Sequence, residues 1–279
     1  MEAELCKTYD VQSYPTIRMF RGVKDNWRYR GPRNAKAIVS YMIKQGLPLI
    51  SHVNESNLEE LKSLDTPVLI AHIAASDVKS SEVFTAVAGR LGETYIFASR
   101  SDLDTGIVDT TVRLPFIILH NPLDEVDILF QEEFEAQEVA KFAESASKPL
   151  IGKFGLLAFD KYTKEGIPLG LIFAEEVEER RELSEAIKNV ALKHRTILNF
   201  ATVDAKSFAF LTVPFGVEPT KLPAFVIRDT LTNEHFLFDQ DTKITTEVID
   251  EFVQGFVDEY LQRDGARVDI PKIGSHDEI

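Results

Sequence analysis

The chain has 279 residues, 44% of them hydrophobic, so it is long enough for about two domains with cores of their own. Its formal net charge is −14, from 31 basic and 45 acidic residues, and this excess of acid argues against binding to nucleic acid or to anionic membrane surfaces. No apolar segment is long enough to span a bilayer, so we expect no membrane insertion. The acidity fits either general solubility or an acidic binding surface.

Three apolar segments follow one another, and each contains a proline at the start of a strand. In the first segment, the pattern predicts a short helix around Cys6, a strand after Pro15, a second strand near Trp27 and a helix over 34–44. The later segments add a strand, a helix and another strand before the proline. Their predicted elements are strands 67–73, 94–99, 116–120 and 126–131 with helices 80–91 and 136–146, then strands 169–173, 197–203, 224–228 and 235–239 with helices 179–193 and 246–262.

The repeated order predicts a β-α-β-α-β-β-α unit, because a strand–helix–strand pair of this length forms a right-handed parallel crossover. Pro15, Pro115 and Pro223 are 100 and 108 residues apart, a spacing typical of tandem domains. A proline at a strand start removes a ladder donor where the loss is tolerated, and in its cis form it marks a specific turn. We therefore predict an α/β fold of tandem domains with mixed central sheets flanked by helices, and cis bonds before all three prolines.

This order, with a proline opening the fourth strand, resembles thioredoxin. The wording of 5–17 around Cys6 and Tyr14-Pro15, and of Tyr29-Arg30-Gly31-Pro32-Arg33, closely resembles the second half of a catalytic domain of the protein disulfide isomerase family. The remainder is similar to that family's two non-catalytic thioredoxin-like domains, in order. The resemblance implies a partial thioredoxin-like domain over 1–47, non-catalytic thioredoxin-like domains over 48–147 and 148–262, and a tail over 263–279.

The catalytic Cys-x-x-Cys motif of that family is missing here. The resemblance places it at the start of the helix after the first long strand, where one thiolate attacks and the second thiol releases the mixed disulfide. The matching stretches, 74–81 and 174–179, contain no cysteine, and the whole chain contains one. We predict no catalytic residue and no cofactor in this chain.

Cys6 has two interpretations. It is either a lone thiol that forms mixed disulfides with clients, or a small buried hydrophobe on a short helix before Val11; it matches a non-catalytic cysteine of the resembling domain. Two function classes follow: a redox-inert, chaperone-type segment that binds polypeptide, or a thiol oxidoreductase acting through Cys6 or with a catalytic domain in an intact protein. An insulin-reduction assay separates them.

The resemblance also implies that the third domain holds unfolded polypeptide in an apolar cleft between two helices. Residues 207–215 are denser in aromatic side chains than a short surface helix needs, and large exposed apolar patches usually mark binding sites. The alternative is that these side chains are all core. Acidic residues 175–179 at the edge of the cleft would favour clients with basic flanks. The predicted lining is Leu171, Phe173, Leu183, Ile187, Phe208, Phe210 and Phe215.

Other candidate sites have weaker patterns. The six histidines lack metal-ligand spacing and there is no DxDxDG loop, so we predict no metal site, although surface carboxylates could bind Ca²⁺ weakly. Asn54-Glu55-Ser56 fits a glycosylation acceptor. Ser56 with Glu59 fits a capping box that opens a helix at Asn57, and the two interpretations are compatible.

Both ends of the sequence bear on its origin and location. Met1 is followed by no apolar stretch, so we expect no signal peptide in this chain, and we expect the first half of the first domain to be missing. His276-Asp277-Glu278-Ile279 resembles the HDEL retrieval signal, with isoleucine for leucine. With the family resemblance, this predicts the lumen of the endoplasmic reticulum, with unfolded polypeptides and other folding factors as partners.

Two strands and one helix rarely fold alone, so residues 1–47 should leave apolar surface uncovered. The side chains concerned are Ile17, Met19, Ile38, Tyr41 and Met42.

Overall fold

The computed structural model describes residues 3–21, 25–100, 112–155, 159, 162, 164 and 166–264. The chain divides into two compact units, Met1–Ser147 and Lys148–Ile279. Residues 1–47 belong to the first unit rather than forming a third. Within the described ranges, no helix combines the length and the apolar character needed to cross a membrane.

The first unit begins with α1 (Ala3–Thr8), an antiparallel pair of strands, β1 (Ile17–Arg21) and β2 (Asp25–Tyr29), and α2 (Ala35–Gly46). A five-stranded sheet with its helices follows, formed by β3 (Ser51–His52), α3 (Glu55–Lys62), β4 (Val68–His72), α4 (Val78–Leu91), β5 (Ile96–Arg100), β6 (Phe116–Asn121), β7 (Val126–Phe130) and α5 (Ala136–Ala146). The strand order is β3-β5-β4-β6-β7. The first three strands in sequence run parallel, and β6 and β7 are antiparallel to their neighbours.

The second unit repeats this arrangement. Its elements are β8 (Ile151–Lys153), β9 (Leu169–Ala174), α6 (Val177–His194), β10 (Asn199–Asp204), three short 3₁₀ turns (Ala209–Leu211, Val213–Phe215 and Pro219–Lys221), β11 (Ala224–Arg228), β12 (His235–Leu237) and α7 (Thr246–Asp264). The strand order β8-β10-β9-β11-β12 matches that of the first unit, strand for strand. The predicted parallel crossovers and mixed sheets are confirmed in both units.

The central strands are apolar because other elements cover both faces of each sheet. Every residue of β4 and of β9 is buried, as expected for strands that lie between two layers of other elements. The peptide bonds before Pro15, Pro115 and Pro223 are all cis, as predicted, and they precede β1, β6 and β11.

The start of α3 differs from the prediction. The Asn54 side chain accepts a hydrogen bond from the Ser56 amide at 2.9 Å, and the Asn54 amide donates to Asn57 Oδ1 at 2.8 Å. Asn54 is therefore the N-cap, and the helix begins at Glu55 rather than at Asn57. An asparagine caps as well as a serine does, so Asn54 can open the helix two residues before the predicted cap, Ser56.

The first 47 residues expose apolar surface, but of the five predicted side chains only Met42 is exposed, and Phe20 was not among the five. Met42 is 47% exposed and Phe20 is 48% exposed. The other predicted side chains are half-buried: Ile17, Met19, Ile38 and Tyr41.

Polar contacts tie α2 to the neighbouring part of the first unit. Ser40 Oγ accepts from the Asp65 amide at 2.9 Å, and Lys44 Nζ donates to the Glu93 carbonyl at 2.6 Å. Lys44 lines a cleft of about 310 Å³, and burial there lowers the pKa of Lys44 to about 8. A charged amine in this position loses hydration that one backbone carbonyl only partly replaces.

We predict that Lys44→Met stabilises the first unit at pH 7 by about 1 kcal/mol, after allowance for screening at a partly exposed site. Between the folded pKa of about 8 and the ordinary value of 10.5, the unfolded chain keeps a proton that the folded chain has released. Stability from this group therefore rises with pH across that range, and the advantage of the variant should vanish by pH 10.5. Urea denaturation, followed by the fluorescence of the single tryptophan, Trp27, measures the free energy of unfolding at each pH.

Lys36→Met is the matched control, because Lys36 lies on the same helix and is largely exposed beside Asp65. Equal gains for Lys44→Met at pH 7 and pH 10.5 would contradict the proposed desolvation of Lys44.

Candidate functional site

The positions that correspond to the missing thiol motif are occupied by structural contacts. After β4, Asp77 caps α4 by accepting from the Ser80 amide at 3.0 Å. Hydrogen bonding from the Ser80 side chain, and then from the Ser80 amide, lowers the pKa of Asp77. After β9, Arg180 Nη1 donates to the carbonyls of Ala174 and Glu175, at 2.8 and 2.7 Å. Among the described residues, no group of three or more His, Cys, Asp and Glu side chains could hold a metal ion.

Cys6 lies on α1, as predicted, but it is only partly buried. Its Sγ is 2.9 Å from Tyr14 Oη, and this hydrogen bond raises the pKa of Tyr14. The interpretation of Cys6 as a small buried hydrophobe is therefore wrong. The thiol has a polar contact with the residue that precedes the cis proline.

Side chains of β9 alternate between two separate cores of the second unit. Leu169, Leu171 and Phe173 point to one face, where they pack with residues such as Phe215. Ile172 points to the other face, which α6 and α7 cover. A strand has a side-chain period of two, so neighbours along β9 cannot share a face.

The seven predicted client-binding residues do not line one cleft. Leu183 and Ile187 of α6 pack into the core that contains Ile172, on the opposite face from Leu171 and Phe173. Four of the seven are core residues with little contact with water: Leu171, Phe173, Ile187 and Phe215. The predicted cleft is therefore wrong as a single surface, because sequence reasoning combined residues from both faces of the sheet.

An exposed apolar surface remains at the 3₁₀ turns, formed by Phe208, Phe210 and Val213; we name it the 208–213 surface. Phe210 is 61% exposed and Val213 is 76% exposed, whereas Phe208 is half-buried. Phe210 lies in the first 3₁₀ turn, and Val213 begins the second turn three residues later. Val213 was not among the predicted residues.

A network of aromatic rings supports this surface. The centroid of the Phe208 ring lies 5.1 Å from that of Phe154 and 6.1 Å from that of Phe210. The centroids of the Phe154 and Phe159 rings are 5.4 Å apart. The Arg228 guanidinium lies 4.7 Å from the centre of the Phe159 ring, a cation–π contact. Edge-to-face and cation–π contacts of this kind fix ring orientations, so the surface rests on an ordered base.

The acidic stretch 175–179 carries less free charge than its composition suggests. Glu176 contacts Lys206 and Glu178 contacts Arg181, and each contact lowers the pKa of the glutamate. Arg180 also lies 3.5 Å from Asp204. The exposed carboxylates are therefore partly balanced by local cations.

Comparison with known proteins supports the thioredoxin-like fold. A profile of the thioredoxin-like domain family matches residues 73–255. The chain belongs to the thioredoxin-like family. It is 44% identical over 256 residues to the protein disulfide-isomerase of Humicola insolens, and 38% identical over 256 residues to that of Arthroderma benhamiae. The enzyme of Aspergillus niger is 37% identical over 257 residues.

Each of these three matches covers 92% of the present thioredoxin-like chain. The same matches cover 50%, 49% and 50% of the relatives, so the chain spans about half the length of the curated relatives it matches. Its homologues are thus protein disulfide-isomerases, as the resemblance implied.

We predict opposite effects for two phenylalanines only five residues apart. Phe215→Ala should destabilise the second unit by about 3–5 kcal/mol, because it empties a ring-sized volume in a core where Phe215 is 5% exposed. Phe210→Ala should change stability by less than about 0.5 kcal/mol, because its ring already lies mostly in water. Thermal denaturation followed by circular dichroism compares them, and similar losses for both variants would place Phe210 in the core.

Proposed function

We propose that this chain binds unfolded polypeptide through the 208–213 surface, as the non-catalytic part of a protein disulfide-isomerase. The observation that carries the proposal is the exposure of Phe210 and Val213 on the ordered aromatic base formed by Phe208 and Phe154. Exposing two large apolar side chains within four consecutive residues is unfavourable in water, and exposed apolar patches commonly mark interaction sites. The homology to protein disulfide-isomerases supports polypeptide as the ligand.

The surface suits weak and unselective binding. Burying each large apolar side chain contributes roughly 1.5–3 kcal/mol before ordering costs, so two or three contacts give an interaction that readily reverses. An open surface imposes little shape selection, which fits clients that share only exposed apolar residues. Release of the client then needs no separate trigger.

We do not assign thiol exchange to a pair of cysteines in this chain. The chain has one cysteine, and Cys-x-x-Cys chemistry needs a second thiol close to the first. The lumen of the endoplasmic reticulum is the proposed location, because disulfides form in that oxidising compartment. Other folding factors would meet the chain there. His276–Ile279, the HDEL-like segment, lies outside the described residues.

The test is binding of fluorescein-labelled, reduced and carboxymethylated α-lactalbumin, an unfolded polypeptide without free thiols, followed by fluorescence anisotropy. Phe210→Ser combined with Val213→Ser should weaken binding about tenfold, because both apolar contacts are lost. Far-UV circular dichroism should be unchanged, because neither side chain belongs to the core.

Leu123→Ser is the matched control, since Leu123 is 67% exposed in the turn between β6 and β7 of the first unit. Its affinity for the labelled polypeptide should equal that of the unchanged chain. Equal binding by the double variant, or no binding by the unchanged chain, would refute the proposal.

A further inference from the structure

The turn after β2 gathers three arginines around an open pocket in the first unit. The pocket has a volume of about 590 Å³ and is lined by Arg28, Tyr29, Arg30, Gly31 and Arg33. None of the described residues that line it is acidic. Three of the five lining residues are arginines, and guanidinium groups bind anions such as carboxylates.

The backbone of this turn is held in place by contacts that do not involve the guanidinium groups of Arg28 and Arg30. Tyr29 Oη donates to the Pro32 carbonyl at 2.7 Å, and Arg33 Nη2 donates to the Pro15 carbonyl at 2.9 Å. Gly31 lies against the Tyr29 ring so closely that a Cβ at this position would be 2.5 Å from Tyr29 Oη. The turn is therefore folded over the ring, and this packing sets where Arg30 and Arg33 lie.

The charges of Arg28 and Arg30 are unbalanced within the described part of the chain. Neither guanidinium has a hydrogen bond or ion pair with any residue that the structure describes, and both side chains are exposed. Arg28 also lies directly opposite Arg18 on the neighbouring strand. Arg18 is bound by the Asn26 side chain and the Tyr9 carbonyl, which carry no net charge. Like charges facing each other across two strands are destabilising unless an anion relieves them.

The surrounding sequence adds to the positive potential. Residues 1–47 contain nine Lys and Arg against four Asp and Glu, whereas the whole chain contains 31 against 45. This segment is thus the basic part of an acidic protein, and its field attracts negatively charged ligands. The 208–213 surface, by contrast, consists of apolar side chains.

We propose that Arg28, Arg30 and Arg33 form a binding site for acidic segments of polypeptide, with the carboxylates of Asp or Glu as the recognised groups. The pocket is open rather than enclosed, which suits a chain that passes across it. Guanidinium groups pair with carboxylates in the planar, two-point geometry that their fork of donors allows. The class of ligand follows from the proposed polypeptide binding, but the site is separate from the 208–213 surface in sequence and in chemistry.

The test measures fluorescence anisotropy of a labelled decapeptide of alternating Glu and Ser at low ionic strength. Arg28→Gln combined with Arg30→Gln should weaken binding about tenfold, and binding by the unchanged chain should fall as salt is raised. Arg90→Gln is the matched control. Arg90 is an exposed arginine of α4 in the same unit, and no described residue pairs with it, so this variant should bind as the unchanged chain does.

Three results would overturn the site. They are no binding by the unchanged chain, equal affinity for the double arginine variant, and an equal loss for Arg90→Gln, which would indicate unspecific attraction. Inorganic phosphate is tested as a competitor, and displacement of the peptide at micromolar phosphate would assign the pocket to a phosphate ligand instead. The Phe210→Ser, Val213→Ser variant should keep its affinity for the acidic decapeptide, so failure of either proposal leaves the other standing.

Discussion

The alternation of side chains along β9 is the constraint on which the second unit depends. Leu169, Leu171 and Phe173 form one core while Ile172 joins the other, so the sheet must be covered on both faces. Gly170 lies on the same face of the sheet as Ile172. A Cβ at this position would lie 3.0 Å from the Phe200 ring and 3.1 Å from the Phe225 ring. The two large rings fill the space that the missing side chain leaves on the helix-covered face.

The two faces of this sheet are covered by different kinds of elements. This difference explains where the 208–213 surface lies. Two long helices, α6 and α7, bury one face completely enough that Ile187, Ile249 and Val253 have almost no contact with water. Short 3₁₀ turns contribute to the cover of the other face, with Phe215 and Val217 in that core. A short turn has too few positions to bury every apolar residue it carries, so Phe210 and Val213 lie outside. The unit thus combines a sealed face, covered by α6 and α7, with a face that carries exposed apolar side chains.

Much of the fold could be predicted because its signals are local. The apolar runs gave the central strands, the proline positions gave the three cis bonds, and the internal repetition gave the common strand order. The start of α3 was missed by two residues because Asn54 and Ser56 are both good caps. The site was harder to predict. Membership of one core or the other depends on which face each residue of β9 and α6 meets, and aromatic content alone does not distinguish Phe210 from Phe215.

The most direct test of client binding at the 208–213 surface is hydrogen–deuterium exchange with and without unfolded, carboxymethylated α-lactalbumin. Bound client should slow amide exchange in peptides that cover the 3₁₀ turns from Ala209 to Phe215. Peptides from α6 and α7, which cover the sealed face, should be unchanged. Protection confined to α6 and α7, or no protection anywhere in the second unit while the client binds, would contradict the account.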